Sequence, residues 1–466
     1  MKSMVTCRRL GAALTKLQPL LMENGLNNLG HDPGAGSPPS NNFRIIQSIK
    51  LARSKTRSGL IAALDIGTSK VCCFIARREK DHPPKIIGIG HNMSKGLQSG
   101  SIANLDAAQE VVLAAVNAAE KMAGQTIESV IVNLSGGRPE SETHTVELPL
   151  GSRPIGNLEI RKLNDQKEAL LRQAGDELIH TVPLGFRLDG ASTMNDPRGM
   201  YGSTLGLDLH FVRTQTAPLR NLDTLLGRCH LAIEETVVTP LASGLSALTP
   251  DQRDLGATVI DMGAGTTSVA VFNGGQVIYT ASIPVGGAHV TRDIAYGLNT
   301  SLNHAERMKT LHGSALTSPS DDQEILAVPI IGDEDENNFN HVPRSMLINI
   351  IKPRLEETFE LIRDQLEEHG LTQIGGRSIV LTGGASQLNA IADLANQMFE
   401  RPASVAHPHG VTGLAEATAG PAFSACAGLL LRAVEQGNDP LSEAMASIHQ
   451  SGGRWGRLGA WFKENF

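Results

Sequence analysis

The stretch Ala63-Leu-Asp-Ile-Gly-Thr-Ser-Lys-Val-Cys-Cys-Phe-Ile75 decides the fold, because the stretch Val259-Ile-Asp-Met-Gly-Ala-Gly-Thr-Thr-Ser-Val-Ala-Val271 repeats its scheme 196 residues later. Each has an apolar run, an Asp-x-Gly turn with small residues, and a second apolar run. Short apolar runs on both sides of such a turn are typical of two buried strands in a hairpin. The repeat therefore predicts an α/β protein with two related halves that face each other.

The two turns contain the residues that a polyphosphate needs at close range. Glycine lets main-chain N–H groups approach an anion, and Thr and Ser hydroxyls add further donors. The predicted phosphate-binding residues are Gly67, Thr68, Ser69 and Lys70 in the first turn, and Gly263, Ala264, Gly265, Thr266 and Thr267 in the second. Asp65 and Asp261 end the first strand of each hairpin, where a carboxylate can hold the water ligands of a Mg²⁺ ion.

A third glycine-rich loop, Thr382-Gly-Gly-Ala-Ser386, follows the apolar run Ser378–Leu381. Its glycines would let a planar base lie on the main chain. Gly286 and Gly287 open a predicted helix that continues to about Leu298, and they are also predicted to bind the ligand. The sequence contains neither a G-x-x-x-x-G-K-[ST] loop nor a G-x-G-x-x-G loop, which excludes a P-loop or dinucleotide fold. The three loops in this order predict a nucleotide site.

The composition is that of a globular protein with an acidic body. Apolar residues make up 41% and charged residues 19% of 466 residues, a length that suits roughly three domains. The net charge is −7, but nine Lys/Arg against two Asp/Glu in residues 1–58 and a charge of +2 in residues 454–466 leave −16 for the middle. An acidic body repels nucleic acid, and the basic ends suit an anionic membrane surface. No apolar run approaches the ~20 residues of a membrane-spanning helix.

The ends of the chain are predicted to differ from the body. Residues 1–58 are expected to form a disordered basic extension, with a mitochondrial transit peptide at Met1–Leu21 as the alternative. Residues 433–453 lose apolar periodicity and are predicted to be a flexible tether. The five cysteines include no C-x-x-C pair, which favours reduced thiols in a cytosol.

Apolar periodicity gives a coarse order of elements for the body. Strands are predicted at Leu60–Leu64, Val71–Ala76, Val130–Leu134, Val259–Asp261, Ser268–Phe272, Gln276–Ile283 and Ser378–Leu381. Helices are predicted at Leu105–Gly124, 161–178, Leu219–Ala232, Thr236–Leu248 and Met346–Glu368, the last interrupted by Pro353.

The last thirteen residues predict an amphipathic helix. Both tryptophans of the protein lie there, and one arc of a helical wheel gathers the apolar side chains while the basic residues lie opposite or at the flanks. Residues predicted to contact a membrane are Arg454, Trp455, Arg457, Leu458, Trp461, Phe462 and Phe466. Aromatic residues beside basic ones are typical of a helix in the membrane interface, and this one is too short to span. A tail docked on the protein itself or on a partner is the alternative.

The three loops resemble the phosphate-1, phosphate-2 and adenosine motifs of the actin/Hsp70/sugar-kinase superfamily. Within that superfamily, the chain is similar to the FtsA family of bacterial cell-division proteins over roughly residues 59–432 and in its tail. The stretches that carry this resemblance are Leu64–Lys70, Pro240–Ser243, Ser282–Gly287, Val342–Arg344, Pro353–Glu357 and Gly420–Phe423. The resemblance implies an actin-like ATPase fold around a nucleotide cleft, with ATP and Mg²⁺ as the ligands.

The resemblance also implies a domain layout. The actin-like core is expected in residues 59–137, 219–302 and 359–432, with a small FtsA-type inserted subdomain at 138–218. Residues 303–358 are expected to bind the C-terminal peptide of the tubulin-like division protein FtsZ, with Arg344 and Arg354 as contacts; solvated surface arginines are the alternative. Glu306 and Lys309 share a helix face and are expected to reach the nucleoside, with a surface salt bridge as the alternative.

The implied function is a structural adaptor. Such a protein binds ATP, self-associates into filaments, ties the FtsZ ring to the cytoplasmic face of the inner membrane at the division septum, and recruits later membrane proteins of the divisome. No residue identifies itself as a water-positioning base, so hydrolysis is expected to be slow and the catalytic residue is unknown. The alternatives are an actin-fold small-molecule kinase, which would need an acceptor pocket, and another bacterial actin-like ATPase.

Overall fold

The computed structural model describes residues 59–79, 82–173, 177–191, 194–331, 339–372 and 374–435. The predicted extension at 1–58 and the predicted membrane helix at 454–466 lie outside the described residues, as does the tether beyond Glu435. The predictions for these segments stay predictions.

The first half is a five-stranded sheet built on the first repeat. Its strands are β1 (Leu60–Ile66), β2 (Lys70–Arg77), β3 (Lys85–Met93), β6 (Ser129–Leu134) and β10 (Ala232–Val238), in the order β10-β6-β1-β2-β3. Strands β1 to β3 are antiparallel neighbours, and β6 and β10 join in parallel. Helices α1 (Leu105–Ala123) and α3 (Thr216–Arg228) cover one face, where Leu64, Val112 and Leu225 are fully buried. The small hairpin of β4 (Leu97–Gln98) and β5 (Ser101–Ile102) precedes α1.

The second half repeats this topology strand for strand. Its strands are β11 (Ala257–Met262), β12 (Thr267–Asn273), β13 (Gln276–Ile283), β16 (Ile379–Thr382) and β17 (Ala403–Val405), in the order β13-β12-β11-β16-β17. Again the first three strands are antiparallel and the last two join in parallel. The internal repeat predicted from the two stretches is thus a repeat of whole sheets.

Two helices fill the space between the two sheets. These are α4 (Thr239–Ala247), preceding the short α5 (Pro250–Leu255), and α10 (Ser424–Glu435), and they share one apolar cluster with residues of both sheets. Phe74 of the first sheet and Phe272 of the second are both buried in it. The helices approach so closely that a Cβ added to Gly428 would lie 1.7 Å from the carbonyl oxygen of Ala242. Glycine at 428 is therefore a requirement of this packing.

A small subdomain is inserted between β6 and α3. It has a three-stranded antiparallel sheet of β7 (Glu140–Pro149), β9 (Thr204–Thr214) and β8 (Glu177–Leu188), in that order, and one helix, α2 (Asn157–Gln173). Its own apolar core contains Phe186, Leu207 and Phe211, all nearly inaccessible to solvent. The mixed α+β character expected for this region is present, with the helix four residues earlier than predicted.

The second half is completed by helices around its sheet. These are α6 (Gly287–Gly297), α7 (Leu302–His312), α8 (Arg344–Glu368) and α9 (Ile391–Phe399), together with the hairpin of β14 (Ile325–Pro329) and β15 (Phe339–Pro343). Phe359 and Ile362 of α8 are fully buried against this core.

Two local predictions differ from the structure. Helix α8 continues through Pro353, because the proline and Asn349, whose carbonyl would have received its hydrogen bond, are both exposed to water. Residues 232–238 form strand β10, whereas the sequence predicted helices on both sides with no strand between them. Val237 and Val238 are buried in this strand, and their β-branched side chains favour it.

The glycine contact between α4 and α10 gives the first testable prediction. Gly428→Ala should lower the thermal unfolding midpoint, because the clash with Ala242 outweighs the ~1 kcal/mol by which alanine is the better helix former. We expect a loss of about 1–3 kcal/mol in the free energy of unfolding. The matched control is Gly227→Ala in α3, where an added Cβ meets nothing within 4 Å. Equal midpoints for the two variants would contradict this packing.

Candidate functional site

The two Asp-x-Gly turns form matching hairpins at the edge of the cleft between the halves. In the first, Gly67 N donates to Lys70 O at 2.9 Å, and in the second, Gly263 N donates to Thr266 O at 2.9 Å. Thr68 Oγ1 accepts from Gly100 N at 2.9 Å, which fixes the first loop on the β4–β5 hairpin. The same sequence pattern has therefore produced the same local structure twice.

The two hairpins touch each other across the cleft. A Cβ added to Gly265 would lie 2.4 Å from Thr68 Oγ1 and 2.8 Å from Ser99 Cα, so the contact requires a residue without a side chain. Gly263 and Gly287 line the cavity, and Gly286 packs on the main chain of the second hairpin. Gly287 N donates to Gly263 O at 2.9 Å, and Ala288 N donates to Ala264 O at 2.8 Å. The start of α6 is thereby tied to the second hairpin. A polyphosphate between the hairpins would meet donors from both halves.

Asp65 and Asp261 lie buried at the ends of β1 and β11. Asn133 Nδ2 donates to Asp65 Oδ1 at 2.7 Å, and the Ser243 hydroxyl donates to Asp261 Oδ2. Burial raises the pKa of Asp65 to about 6; Lys70 opposes this rise, and the negative charge of Asp261 adds to it. Burial also raises the pKa of Asp261, while the Ser243 hydrogen bond and Lys70 lower it. Two desolvated carboxylates close together favour a cation beside them.

These carboxylates fit a Mg²⁺ ion that is held through water and phosphate. Among the described residues, there is no group of three or more His, Cys, Asp or Glu side chains that could hold a metal directly. Mg²⁺ commonly keeps several waters and takes its remaining ligands from one or two carboxylates and from substrate phosphates. Asp65 and Asp261 provide that smaller number.

Glu306 and Lys309 of α7 face the cleft in one hydrogen-bonded group. Lys309 Nζ donates to Glu306 Oε2 at 2.6 Å, to Thr291 Oγ1 at 2.9 Å and to Gly287 O at 3.1 Å. The Thr291 hydroxyl also bonds to Glu306. The ion pair that was the alternative for these two residues is present, and both residues line the cavity described below; contact with a nucleoside stays a prediction.

The third loop packs against the end of β11, beside Asp261. Gly383 has φ +86°, and a Cβ there would lie 2.4 Å from Asp261 Oδ1 and 2.6 Å from Met262 O. Ser386 Oγ donates to Gly383 O at 2.8 Å, and Thr382 Oγ1 donates to Ser424 Oγ at 2.7 Å. Thr382 and Ser386 therefore hold the loop in shape, while Gly383, Gly384 and Ala385 line the cleft.

These elements enclose one cavity of about 620 Å³. The predicted residues that line it are Asp65, Gly67, Thr68, Ser69, Lys70, Asp261, Gly263, Ala264, Gly265, Thr266, Gly287, Glu306, Lys309, Gly383, Gly384 and Ala385. Thr267, Gly286, Thr382 and Ser386 lie behind this lining.

Sequence reasoning missed several polar residues around the carboxylates. Ser135 and Thr239 line the cavity and hydrogen-bond to each other at 2.7 Å, and Asn133 and Ser243 bind the two aspartates. Asn133 could have been found, because it is a polar residue inside the apolar run Val130–Leu134. The cavity is also lined by Thr310, Leu355, Gln387 and Leu388, which have no such signal.

Arg344 and Arg354 are held in ion pairs within the chain. Arg344 donates to the buried Asp321 Oδ1 at 2.6 Å and to His312 O at 2.8 Å. Arg354 makes a bidentate pair with Asp293, at 2.6 and 3.1 Å, which raises the pKa of the arginine. Their role in binding a partner stays a prediction.

Within the described ranges, no helix is long and apolar enough to cross a bilayer.

Comparisons with known proteins show which families this chain is similar to. A family model described as cell division protein FtsA matches residues 258–428, and a model described as the SHS2 domain inserted in FtsA matches residues 136–213. A cell division protein FtsA of Rhizobium meliloti is 40% identical over 422 residues, which cover 88% of this chain and 96% of the relative. One from Pseudomonas aeruginosa is 30% identical over 412 residues, covering 87% and 98%.

A solved structure has the same fold. The PilM–PilN type IV pilus biogenesis complex contains a chain that is 18% identical, with a TM-score of 0.57, and the match covers 80% of this chain and 98% of that one. The predicted actin-like fold, with two related halves around a cleft and a small inserted subdomain, is confirmed.

The raised pKa of Asp65 predicts how stability depends on pH in Mg²⁺-free buffer. With a pKa of 3.8 unfolded and about 6 folded, the folded protein binds more protons between these values. Stability should therefore fall by about 3 kcal/mol as the pH rises through this window. Asp65→Asn, which keeps an acceptor for Asn133, should remove this loss and unfold at a higher temperature than the wild type at pH 7. If the unfolding temperatures of the wild type and of Asp65→Asn change in parallel from pH 4 to 8, the raised pKa of Asp65 is refuted.

Proposed function

Because the chain belongs to the FtsA family of bacterial cell-division proteins, we propose that it is an ATP-binding, actin-like protein that polymerises and tethers the FtsZ ring to the cytoplasmic face of the inner membrane at the division septum. Recruitment of later divisome membrane proteins is part of this proposal. The single observation that supports it most is the cleft, in which two glycine-rich hairpins from related halves meet beside two buried carboxylates.

ATP fits the chemistry of the cleft from one end to the other. The hairpins and Lys70 offer donors to the phosphates, and Asp65 and Asp261 would hold the waters of Mg²⁺. Glu306 and Lys309 lie near the cavity end where Leu355 and Leu388 supply apolar surface for a base. When bound, Mg²⁺ would neutralise the charge of the phosphates.

The side chains around the carboxylates suit retention of ATP better than fast hydrolysis. Attack by water needs a group that positions the water and accepts its proton. Asp65, Asp261 and Glu306 line the cavity, and each already accepts a hydrogen bond from a neighbouring side chain. Ser135 and Thr239 beside them are hydroxyls, which are weak bases. We propose slow turnover that times conformational change.

The tail supplies the proposed membrane attachment. The described chain ends at Glu435 of α10, and residues 454–466 follow after eighteen further residues. One amphipathic helix of this length binds a membrane reversibly. Filaments carry many such tails, so effective concentration would make the attachment far firmer than that of one chain. The basic residues Arg454 and Arg457 favour anionic lipid.

Residues 303–358 are the proposed site for the FtsZ C-terminal peptide. Leu311, Ile325 and Met346 in this region expose large apolar side chains, which suit a docked peptide. Arg344 and Arg354 would contribute charge beside this surface while they keep their internal pairs.

ATP binding is tested by Asp261→Asn. This variant keeps an acceptor for Ser243 and removes the charge, so calorimetry should show MgATP affinity at least roughly tenfold weaker, a loss of ~1.4 kcal/mol. ATP measured in excess chelator should lose much less, since no Mg²⁺ is then bound. Asp254→Asn, at an exposed position on α5, is the control. Wild-type MgATP affinity in Asp261→Asn would refute the role of this carboxylate.

The membrane proposal is tested by co-sedimentation with anionic liposomes. The double variant Trp455→Glu, Phe462→Glu should lose about 2–4 kcal/mol per monomer, or roughly 30- to 1000-fold in affinity, from apolar burial alone. Arg454→Gln and Arg457→Gln should each lose about 1 kcal/mol, an effect that fades at high salt.

Calorimetric ATP affinity should be unchanged in all of these tail variants, because the substituted residues follow the described chain by at least eighteen residues in the sequence. Undiminished sedimentation of the double aromatic variant would exclude the tail as the anchor and direct attention to residues 1–58.

A further inference from the structure

The inserted subdomain contacts the second half of the protein as well as the first, from which it emerges. Ser141 of β7 donates from Oγ to Thr280 O at 2.9 Å and accepts from Thr280 N at 2.9 Å. Thr280 belongs to β13, the edge strand of the second sheet, and both of its main-chain polar groups at that edge are satisfied by one serine hydroxyl. The Ser141 hydroxyl thus takes the hydrogen-bonding position that a further strand, paired with β13, would otherwise occupy.

The insert is also bonded to the first half. Val238 N donates to His180 Nε2 at 3.1 Å, and Thr214 Oγ1 donates to Gly137 O at 3.1 Å at the root of the insert. Burial lowers the pKa of His180 to about 3, so the imidazole stays a neutral acceptor at physiological pH. Gly137 has φ +84° and Arg138 φ +47°, which marks a sharp change of chain direction where the insert begins.

Both attachments lie next to the cleft. Gly286 follows Thr280 by six residues, three beyond the end of β13; it precedes α6 and packs on the second hairpin. On the other side, Val238 immediately precedes Thr239, which lines the cavity. A second cavity of about 320 Å³ lies between the insert root and both halves and shares Ser135 and Thr266 with the main cavity.

We infer that the inserted subdomain is a strap across the two halves, which slows nucleotide exchange by holding the cleft closed through the Ser141–Thr280 hydrogen bonds. A ligand held by both hairpins, which contact each other at Thr68 and Gly265, leaves only when the halves separate. Separation draws β13 away from the first half, and the insert, held at His180 and Gly137, resists this until Ser141 releases Thr280. Anything that displaces the insert from β13 therefore accelerates exchange.

The strap rests on the proposed binding of ATP, and its test is the rate at which a fluorescent ATP analogue is displaced by excess unlabelled ATP. Ser141→Ala removes two hydrogen bonds that the closed state has and an open one lacks, so dissociation should become about 5- to 100-fold faster. The association rate constant should change by less than about threefold, because the open state already binds. Ser141→Thr, which keeps the hydroxyl, should restore slow dissociation.

Two matched controls separate the strap from general destabilisation. Thr145→Ala, in the same strand, removes a hydroxyl that bonds only within the insert, to Asp208 and Arg187. Thr280→Val removes a buried hydroxyl that has no partner in the described part of the chain and leaves the main-chain groups that Ser141 binds. The ATP analogue should dissociate from both variants at the wild-type rate.

The possible failures can be told apart. Dissociation from Ser141→Ala at the wild-type rate, or equally fast dissociation from Thr145→Ala, would overturn the strap while ATP binding stands. If calorimetry finds no ATP binding to the wild type, the proposed function fails and the strap with it. Should Ser141→Ala prove unfolded by circular dichroism, Ser141→Val and Ser141→Thr provide the same comparison of a variant without the hydroxyl against one with it.

Discussion

The contact between Thr68 and Gly265 is the constraint on which the site depends. It joins the two halves at their Asp-x-Gly hairpins, and it exists only because the second hairpin has no side chain at that position. The same approach brings Asp261 close enough for its negative charge to raise the pKa of Asp65. Desolvated carboxylates in a cleft favour cations beside them. Lys70 is one such cation, and the Mg²⁺ ion of a bound Mg²⁺–polyphosphate would be a second.

The hairpins meet only if the sheets behind them are held at a fixed separation, and α4 and α10 set that separation. Gly428 lets α10 approach the main chain of α4, and both helices pack on Phe74 and Phe272 from opposite sheets. Helix α4 also carries Ser243 to Asp261. The short helix α4 thus both packs between the sheets and orients a carboxylate of the site. A change in the packing of this helix would therefore also disturb the carboxylate.

Local chemistry explains which parts could be predicted from the sequence. The hairpins at Asp65 and Asp261 were predictable because a strand, a turn and a strand are encoded within thirteen residues. The pairing of β6 with β1 and β10, and the contact of Ser141 with Thr280 across 139 residues, depend on tertiary structure that no local pattern encodes. Strand β10 was missed because its apolar residues merge with those of α4, and Pro353 was misjudged because its exposure on α8 was unknown.

The cleft also borders the helix that leads to the proposed anchor. Ala422 lines the cavity, and its carbonyl accepts a hydrogen bond from Lys70, whose Nζ lies 4.5 Å from the ring centroid of Phe423. Helix α10 begins at the next residue, Ser424, and runs to Glu435, where the described chain ends. A phosphate that attracts Lys70 competes directly with Ala422 and Phe423 for the same ammonium group. A phosphate bound to Lys70 would therefore act first on Ala422 and Phe423, the two residues that precede α10.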